Sequence, residues 1–202
     1  MSSDIDPKLE YLSTLGRVLN RYSPVSAAGV ATIFENGSLE SFRKSDIIFP
    51  ERRFNAFEYF QLDGVSHRFN TDEDQQQLTT GIFQNEVVIT PHFTRTRDGQ
   101  SIFSLQALTD CRFVKVPAGT FSELMDAHEE IRRFGRSVVE KEFMKGLDYE
   151  VLFRSYTAKD RLNFFRANYP NLENLIPHTI IASFLGITPV SFSRLRNELT
   201  RK

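Results

Sequence analysis

The sequence predicts an α+β protein: an N-terminal antiparallel β-roll, then one long helix, then a C-terminal helix-turn-helix with no wing behind it. Three observations point there. Short apolar runs separated by turn residues fill residues 39–116 at even spacing. A sustained helical pattern then covers residues 127–155. Residues 181–199, IASFLGITPVSFSRLRNEL, read as two short helices around a tight turn.

Leu9, Leu12, Leu15 and Leu19 recur at helical spacing, so residues 8–20 form an amphipathic helix. Residues 26–34 add a helical turn or two before Glu35, Asn36 and Gly37 break it. The β region opens with DIIFPE, interrupted by Pro50. FEYFQLDGVSHRF predicts two strands joined as a hairpin at Asp63-Gly64, a strong turn dipeptide. QLTTGIF, EVVITPHF, QSIFSLQALTD and CRFVKVP supply further strands, and TRTRDGQ between two of them reads as a solvated turn.

After Pro117 the pattern turns helical, opened by Phe121, Leu124 and Met125. Leu124, Ile131 and Val138 then fall seven apart, with Ala127 and Phe134 in the second position of a heptad-like seam. The stripe slips onward to Phe143, Leu147 and Val151. Gly135 and Gly146 inside it each cost about 1 kcal/mol against alanine. One sheet face does not need so much apolar surface, so the seam is expected to pair with the same helix of a second copy. Thr157 and Asp160 open the next helix, with Leu162, Phe164 and Phe165 inward and Asn168, Tyr169 and Pro170 as its stop.

In the closing stretch, Pro177 starts a helix that ends at Gly186. Ala182 permits close helix approach, and Gly186 four residues on suits the left-handed position that ends a helix. Ile187 plugs the turn, Thr188 caps the second helix, and Pro189 in its first position has no amide to lose. Phe192 and Leu195 face inward. This spacing places the second helix in the major groove of double-stranded DNA. Arg194 suits guanine, Ser191 and Ser193 suit bases or phosphates, and Val190 suits a thymine methyl. The candidate DNA-binding residues are Thr188, Pro189, Val190, Ser191, Ser193, Arg194 and Asn197. Residues 156–202 hold Lys159, Arg161, Arg166, Arg194, Arg196, Arg201 and Lys202 against Asp160, Glu173 and Glu198, a local excess of four positive charges in a chain of net charge −1. Arg201 and Lys202 are expected to touch phosphate only. An αα-corner in an ordinary helical subdomain is the plain alternative.

Composition narrows the rest. Hydrophobic residues make up 40% of the 202, enough to bury a core, and no run approaches a membrane span. The start, MSSDIDPKLEYLSTL, has no basic segment before an apolar run, so a cytoplasmic location is expected. One cysteine, Cys111, excludes an intrachain disulfide and a cysteine-held cluster. His67, His92 and His128 have no ligand-like spacing and are expected at the surface. No nucleophile–base pair, metal-spaced cluster or phosphate loop is present, so neither an enzyme nor a bound cofactor is expected.

The order of β-roll, long helix and helix-turn-helix resembles the Crp/Fnr family of bacterial transcription regulators, over almost the whole chain. Asp160-Arg161, Pro170, Ile181-Ala182-Ser183, Leu185-Gly186-Ile187-Thr188 and Ser193-Arg194 are similar to the short members common in the Bacteroidetes group. YFQLDG and IFSLQALTDCRFVKVPAGTF resemble the family's sensor strands. The resemblance implies a cyclic-nucleotide-binding-like sensor β-roll over 1–126, a dimerisation helix over 127–155 and a DNA-binding domain over 156–202. It implies a homodimer on a palindromic operator, with RNA polymerase as a further partner. Departures matter. Cyclic-AMP-binding members carry a Gly-Glu-x-Gly stretch and an Arg-Ser pair; here Asn85-Glu86-Val87-Val88 and Gln100-Ser101 stand in those places. Cyclic AMP is therefore not expected to bind in the usual way. The β-roll either senses a small molecule or has lost that role; if an effector exists, it is expected to be less anionic than a phosphate and to lie near Glu86, Val87, Val88, Gln100 and Ser101. Val190 stands where many relatives carry a glutamate, so base preference should differ there. The competing reading is a β-roll interaction module with a helical docking tail.

Overall fold

The computed structural model describes residues 7–200. Two helices open it, α1 (Pro7–Asn20) and α2 (Ala27–Glu35). Leu15, Val18 and Leu19 of α1 are buried, as the leucine spacing requires. Ser26 caps α2, its hydroxyl accepting from the Gly29 amide at 3.1 Å.

The strands are β1 (Ser38–Phe42), β2 (Ile47–Phe49), β3 (Phe57–Asp63), β4 (Val65–Thr71), β5 (Gln77–Gln84), β6 (Val87–Val88), β7 (Thr96–Arg97), β8 (Gln100–Ser101), β9 (Ser104–Ala107) and β10 (Cys111–Pro117), with a short helix α3 (His92–Arg95) between β6 and β7. They form two four-stranded antiparallel sheets, ordered β1-β10-β3-β6 and β2-β9-β4-β5, and a β7-β8 ribbon. Phe49, Tyr59, Phe83, Ile89, Phe103, Leu105 and Phe113 pack together from both sheets. The phenylalanine-rich composition thus goes into a core, where tilted and edge-on ring contacts are favourable.

The helices that follow are α4 (Ala118–Ala127), α5 (Glu129–Ser155), α6 (Ala158–Asn168), α7 (His178–Phe184) and α8 (Pro189–Thr200), with a 3-10 turn at Leu172–Asn174. A full capping box opens α6: Thr157 accepts from the Asp160 amide, and the Asp160 carboxylate accepts from the Thr157 amide. No helix among the described residues is long and apolar enough to cross a membrane.

Four expectations need correction. Asp63-Gly64 is not a hairpin: β3 and β4 lie in different sheets, so the dipeptide is a corner between them. Gly64 has φ +83°, and a Cβ there would come within 2.3 Å of the Asp110 carbonyl. A left-handed glycine serves a corner as well as a hairpin, so the dipeptide alone does not tell them apart.

TRTRDGQ is not a solvated turn throughout. Arg95 is fully buried, its guanidinium 4.7 Å from the Phe49 ring centre and 5.1 Å from that of Tyr59. Its Nε donates to the Thr90 carbonyl at 3.0 Å. Only Arg97, Asp98 and Gln100 of this stretch are exposed. His67 is also buried, bonded to Thr79 and Gln106 at 3.1 Å and stacked on Phe69, so it is a core histidine and not a surface one.

The heptad-like seam is covered from within. His128 leaves helical geometry, so Leu124 and Ala127 belong to α4 while Ile131, Phe134 and Val138 belong to α5. Those three are buried against Leu15, Val18, Ile33, Phe60 and Val116 of the same chain. The helical pair α1 and α2 supplies apolar surface beyond that of a lone sheet face, and it consumes the stripe. What stays exposed on α5 is the later part: Phe143, Met144, Leu147 and Val151.

Candidate nucleic-acid interface

The turn between α7 and α8 is built by a Schellman motif. The Ile187 amide donates to the Ala182 carbonyl and the Gly186 amide to the Ser183 carbonyl, both at 3.0 Å. Gly186 has φ +64°, the left-handed position that only glycine takes at little cost. Ile181, Ala182, Leu185 and Phe192 are fully buried, so the two helices meet on a small, dry contact. Thr188 caps α8: its Oγ1 accepts from the Ser191 amide at 3.1 Å. The same hydroxyl donates to the Ser191 Oγ at 3.0 Å.

The other face of α8 is open. Thr188, Pro189, Val190, Ser193, Arg194 and Asn197 are exposed, and Ser191 is half-buried. Arg194 has no ion-pair partner among the described residues. The structure thus gathers all seven candidates on or beside the first turns of one helix. Arg201 and Lys202 lie outside the described residues.

Not all the local positive charge is available. Glu173 takes two hydrogen bonds from Arg166, at 2.7 and 2.9 Å, and an ion pair from Arg196 at 2.8 Å. The Arg166 guanidinium holds the Glu173 carboxylate below its usual range. His178 joins the group through Arg196 at 3.2 Å. These residues tie α8 to the helices beneath it, so Arg196 positions α8 and does not face outward with Arg194.

The helix-turn-helix is not isolated from the β-roll. Strand β5 is a sheet edge, and α7 lies on it. Ser183 accepts from the Thr79 amide at 2.9 Å and donates to the Gln77 carbonyl at 3.2 Å. A serine hydroxyl therefore satisfies the backbone of an edge strand that would otherwise be unpaired. A cleft of about 850 Å³ lies beside this contact, between Gln76–Thr79 and the start of α8 at Thr188, Pro189 and Ser191. Sequence reading missed Ser183 in this role, because an edge strand is not visible without the sheet order.

The five candidate effector residues do not converge. Glu86, Val87 and Val88 line a cleft of about 250 Å³ bounded by Arg21 and Tyr22, just after α1, and by α5. Glu86 is bonded there by Arg17 at 2.7 Å, and Arg21 donates to its carbonyl at 2.6 Å. Gln100 and Ser101 form the β8 strand instead; Gln100 is exposed, and Ser101 is buried with an unpartnered hydroxyl. Between these places Arg68 reaches Glu142 at 2.9 Å and Thr90 at 2.7 Å, linking β4 to α5.

No protein-family model matches the chain, and no curated protein matches its sequence. Solved structures do. FixK2 from Bradyrhizobium japonicum superposes with a TM-score of 0.70 at 16% identity, over 82% of this chain and 85% of that one. A CooA mutant from Carboxydothermus hydrogenoformans gives 0.69 at 16%, over 93% and 84%. CLP, a c-di-GMP-responsive global regulator from Xanthomonas campestris, gives 0.67 at 11%, over 87% and 92%. The chain therefore has the fold of the Crp/Fnr-type regulators, a cyclic-nucleotide-binding-like β-roll followed by a helical C-terminal domain.

Proposed function

We propose that the protein is a transcription regulator of the Crp/Fnr type. In this reading residues 1–126 sense, 127–155 dimerise and 156–202 bind DNA. The carrying observation is the helix-turn-helix itself: a Schellman turn, a threonine-capped second helix, and an exposed face holding Val190, Ser193, an unpaired Arg194 and Asn197. Side chains on the first turns of such a helix reach base edges in the major groove. CLP, which shares this fold, is a global regulator, which supports the same reading.

The homodimer is expected through the second half of α5, where Phe143, Met144, Leu147 and Val151 form an exposed apolar stripe without a cover in one copy. Two copies related by a twofold axis would read a palindromic operator. The β-roll is expected to respond to a small molecule other than cyclic AMP in its usual mode. Gln100 and Ser101 offer no guanidinium, and the Arg68–Glu142 ion pair already joins β4 to α5. RNA polymerase is a further partner only if the protein activates transcription.

Selection of a site from random DNA, followed by footprinting, tests the reading. The expected footprint has two half-sites about one helical turn apart, with affinity that falls as salt rises. Failure to enrich any sequence would favour the interaction-module reading instead.

A further inference from the structure

Hydroxyl groups hold the C-terminal helices on strand β5 near both of its ends. Near the start, the Ser183 hydroxyl of α7 serves two backbone groups, accepting from the Thr79 amide at 2.9 Å and donating to the Gln77 carbonyl at 3.2 Å. Near the close, the Tyr169 hydroxyl donates to the Ile82 carbonyl at 3.4 Å and lies 2.9 Å from the hydroxyl of Tyr149 on α5. In its sheet β5 has a neighbour, β4, on one side only, so α7 meets its free side.

Apolar packing joins the same parts. Val65 and Ile82 of the sheet share one buried core with Leu152 of α5, Leu162 and Phe165 of α6, and Phe184 of α7. Burial of this kind is non-directional, so it does not by itself fix where α7 sits along β5. A hydroxyl bonded to two backbone groups does fix it. A slide of one residue, about 3.3 Å, takes Ser183 out of reach of both. The hold also leaves the outer face of α8 uncovered: Val190, Ser193, Arg194 and Asn197 stay exposed while α7 is docked. The docked arrangement is therefore one in which α8 can meet DNA. What the hold governs is where α8 points relative to the rest of its copy. In a twofold dimer that direction sets the separation of the two α8 helices, and with it the spacing of the half-sites they reach together.

We propose that Ser183 is a positioning residue for operator spacing: without touching DNA, its hydroxyl registers α7 on β5 and so fixes the distance between the paired reading helices. This rests on the reading of the chain as a dimeric regulator. Once one α8 is bound, the second meets its half-site at an effective concentration set by the stiffness of the connection. A stiff connection of the right span raises that concentration, and a loose one lowers it and widens the range of spacings accepted.

Fluorescence titrations of the full chain, wild type against Ser183→Ala, test this on three kinds of duplex: the selected palindrome, one isolated half-site at low salt, and palindromes lengthened between the half-sites. Ser183→Ala should bind the palindrome about tenfold more weakly, bind the half-site within about twofold of the wild type, and lose less than the wild type does on the lengthened palindromes. Hydrogen exchange on the free chain reads the hold directly. The Thr79 amide should exchange faster in Ser183→Ala, while the Leu185 and Ile187 amides, bonded to the Ile181 and Ala182 carbonyls, stay protected. An unchanged or tighter palindrome affinity, an unchanged spacing preference, or unchanged Thr79 exchange would each overturn the proposal. So would a half-site affinity that falls along with the palindrome, since that makes the role of Ser183 merely structural. A wild type that holds the palindrome no better than the half-site would overturn the dimeric-regulator reading and the proposal with it, so the wild type alone tells the two failures apart.

Discussion

In the first half of α5, Ile131, Phe134 and Val138 are at most 5% exposed, packed on α1, α2 and the outer face of a sheet. In the second half, Phe143, Met144, Leu147 and Val151 stand 42–66% exposed. Both halves carry large apolar side chains at helical spacing, yet one is finished within the chain and the other is not. Periodicity reports that a face is apolar; it does not report what covers it. The cover comes from elements distant in sequence, here α1 and α2 for the first half. By this account the first half governs the stability of one copy and the second governs assembly.

The strongest test of the first half is Phe134→Ala. The Phe134 ring centre lies 5.9 Å from that of Tyr22, 6.2 Å from Phe60 and 6.3 Å from Phe121, so truncation leaves a cavity among rings. Chemical denaturation should show a loss of about 3–5 kcal/mol. The same reasoning reassigns Ile131: a charge there would disrupt folding of one copy before it could act on a dimer.

A smaller effect comes from Glu58, which lines the apolar groove beneath Phe134. Burial pushes its carboxyl up to about 7, although the His92 amide donates to it at 3.0 and 3.1 Å. Its protonated form is favoured in the folded chain, so the folded state binds the extra proton. The contribution is fully present below the ordinary glutamate range near 4.5 and is lost as pH rises through about 7. Stability of the wild type should fall over that window by about 3 kcal/mol or less, and Glu58→Gln should remove this part of the fall. Equal pH profiles for the two proteins would contradict it.

The smallest change in stability is expected in the second half. Leu147→Asp places a charge on an already exposed position, so melting of one copy should move by about 0.5 kcal/mol or less. Light scattering should nonetheless turn from dimer to monomer, since a charge would be buried in the seam. A dimer that survives Leu147→Asp would return the interface to another surface.

Much of the architecture was legible in the residues. Gly186 and Thr188 mark the turn because a left-handed residue and a capping hydroxyl each leave a type-specific trace. Thr157 and Asp160 do the same for α6. Long-range pairing left no such trace. Asp63-Gly64 looked like a hairpin because its backbone demand is the same at a corner. Arg95 looked solvated because charge suggests exposure, and only the rings of Phe49 and Tyr59, from separate strands, reverse that. Glu86 and Ser101 were grouped by sequence resemblance, whereas β6 and β8 belong to different sheets.

Arg194 offers the most direct measurement of the central claim, that α8 reads DNA. A fluorescence titration on the selected operator should show Arg194→Ala weaker by about 1–3 kcal/mol per half-site, with specificity relaxed at one base pair. Binding of Arg194→Ala as tight and as selective as that of the wild type would contradict the assignment of α8 as the reading helix.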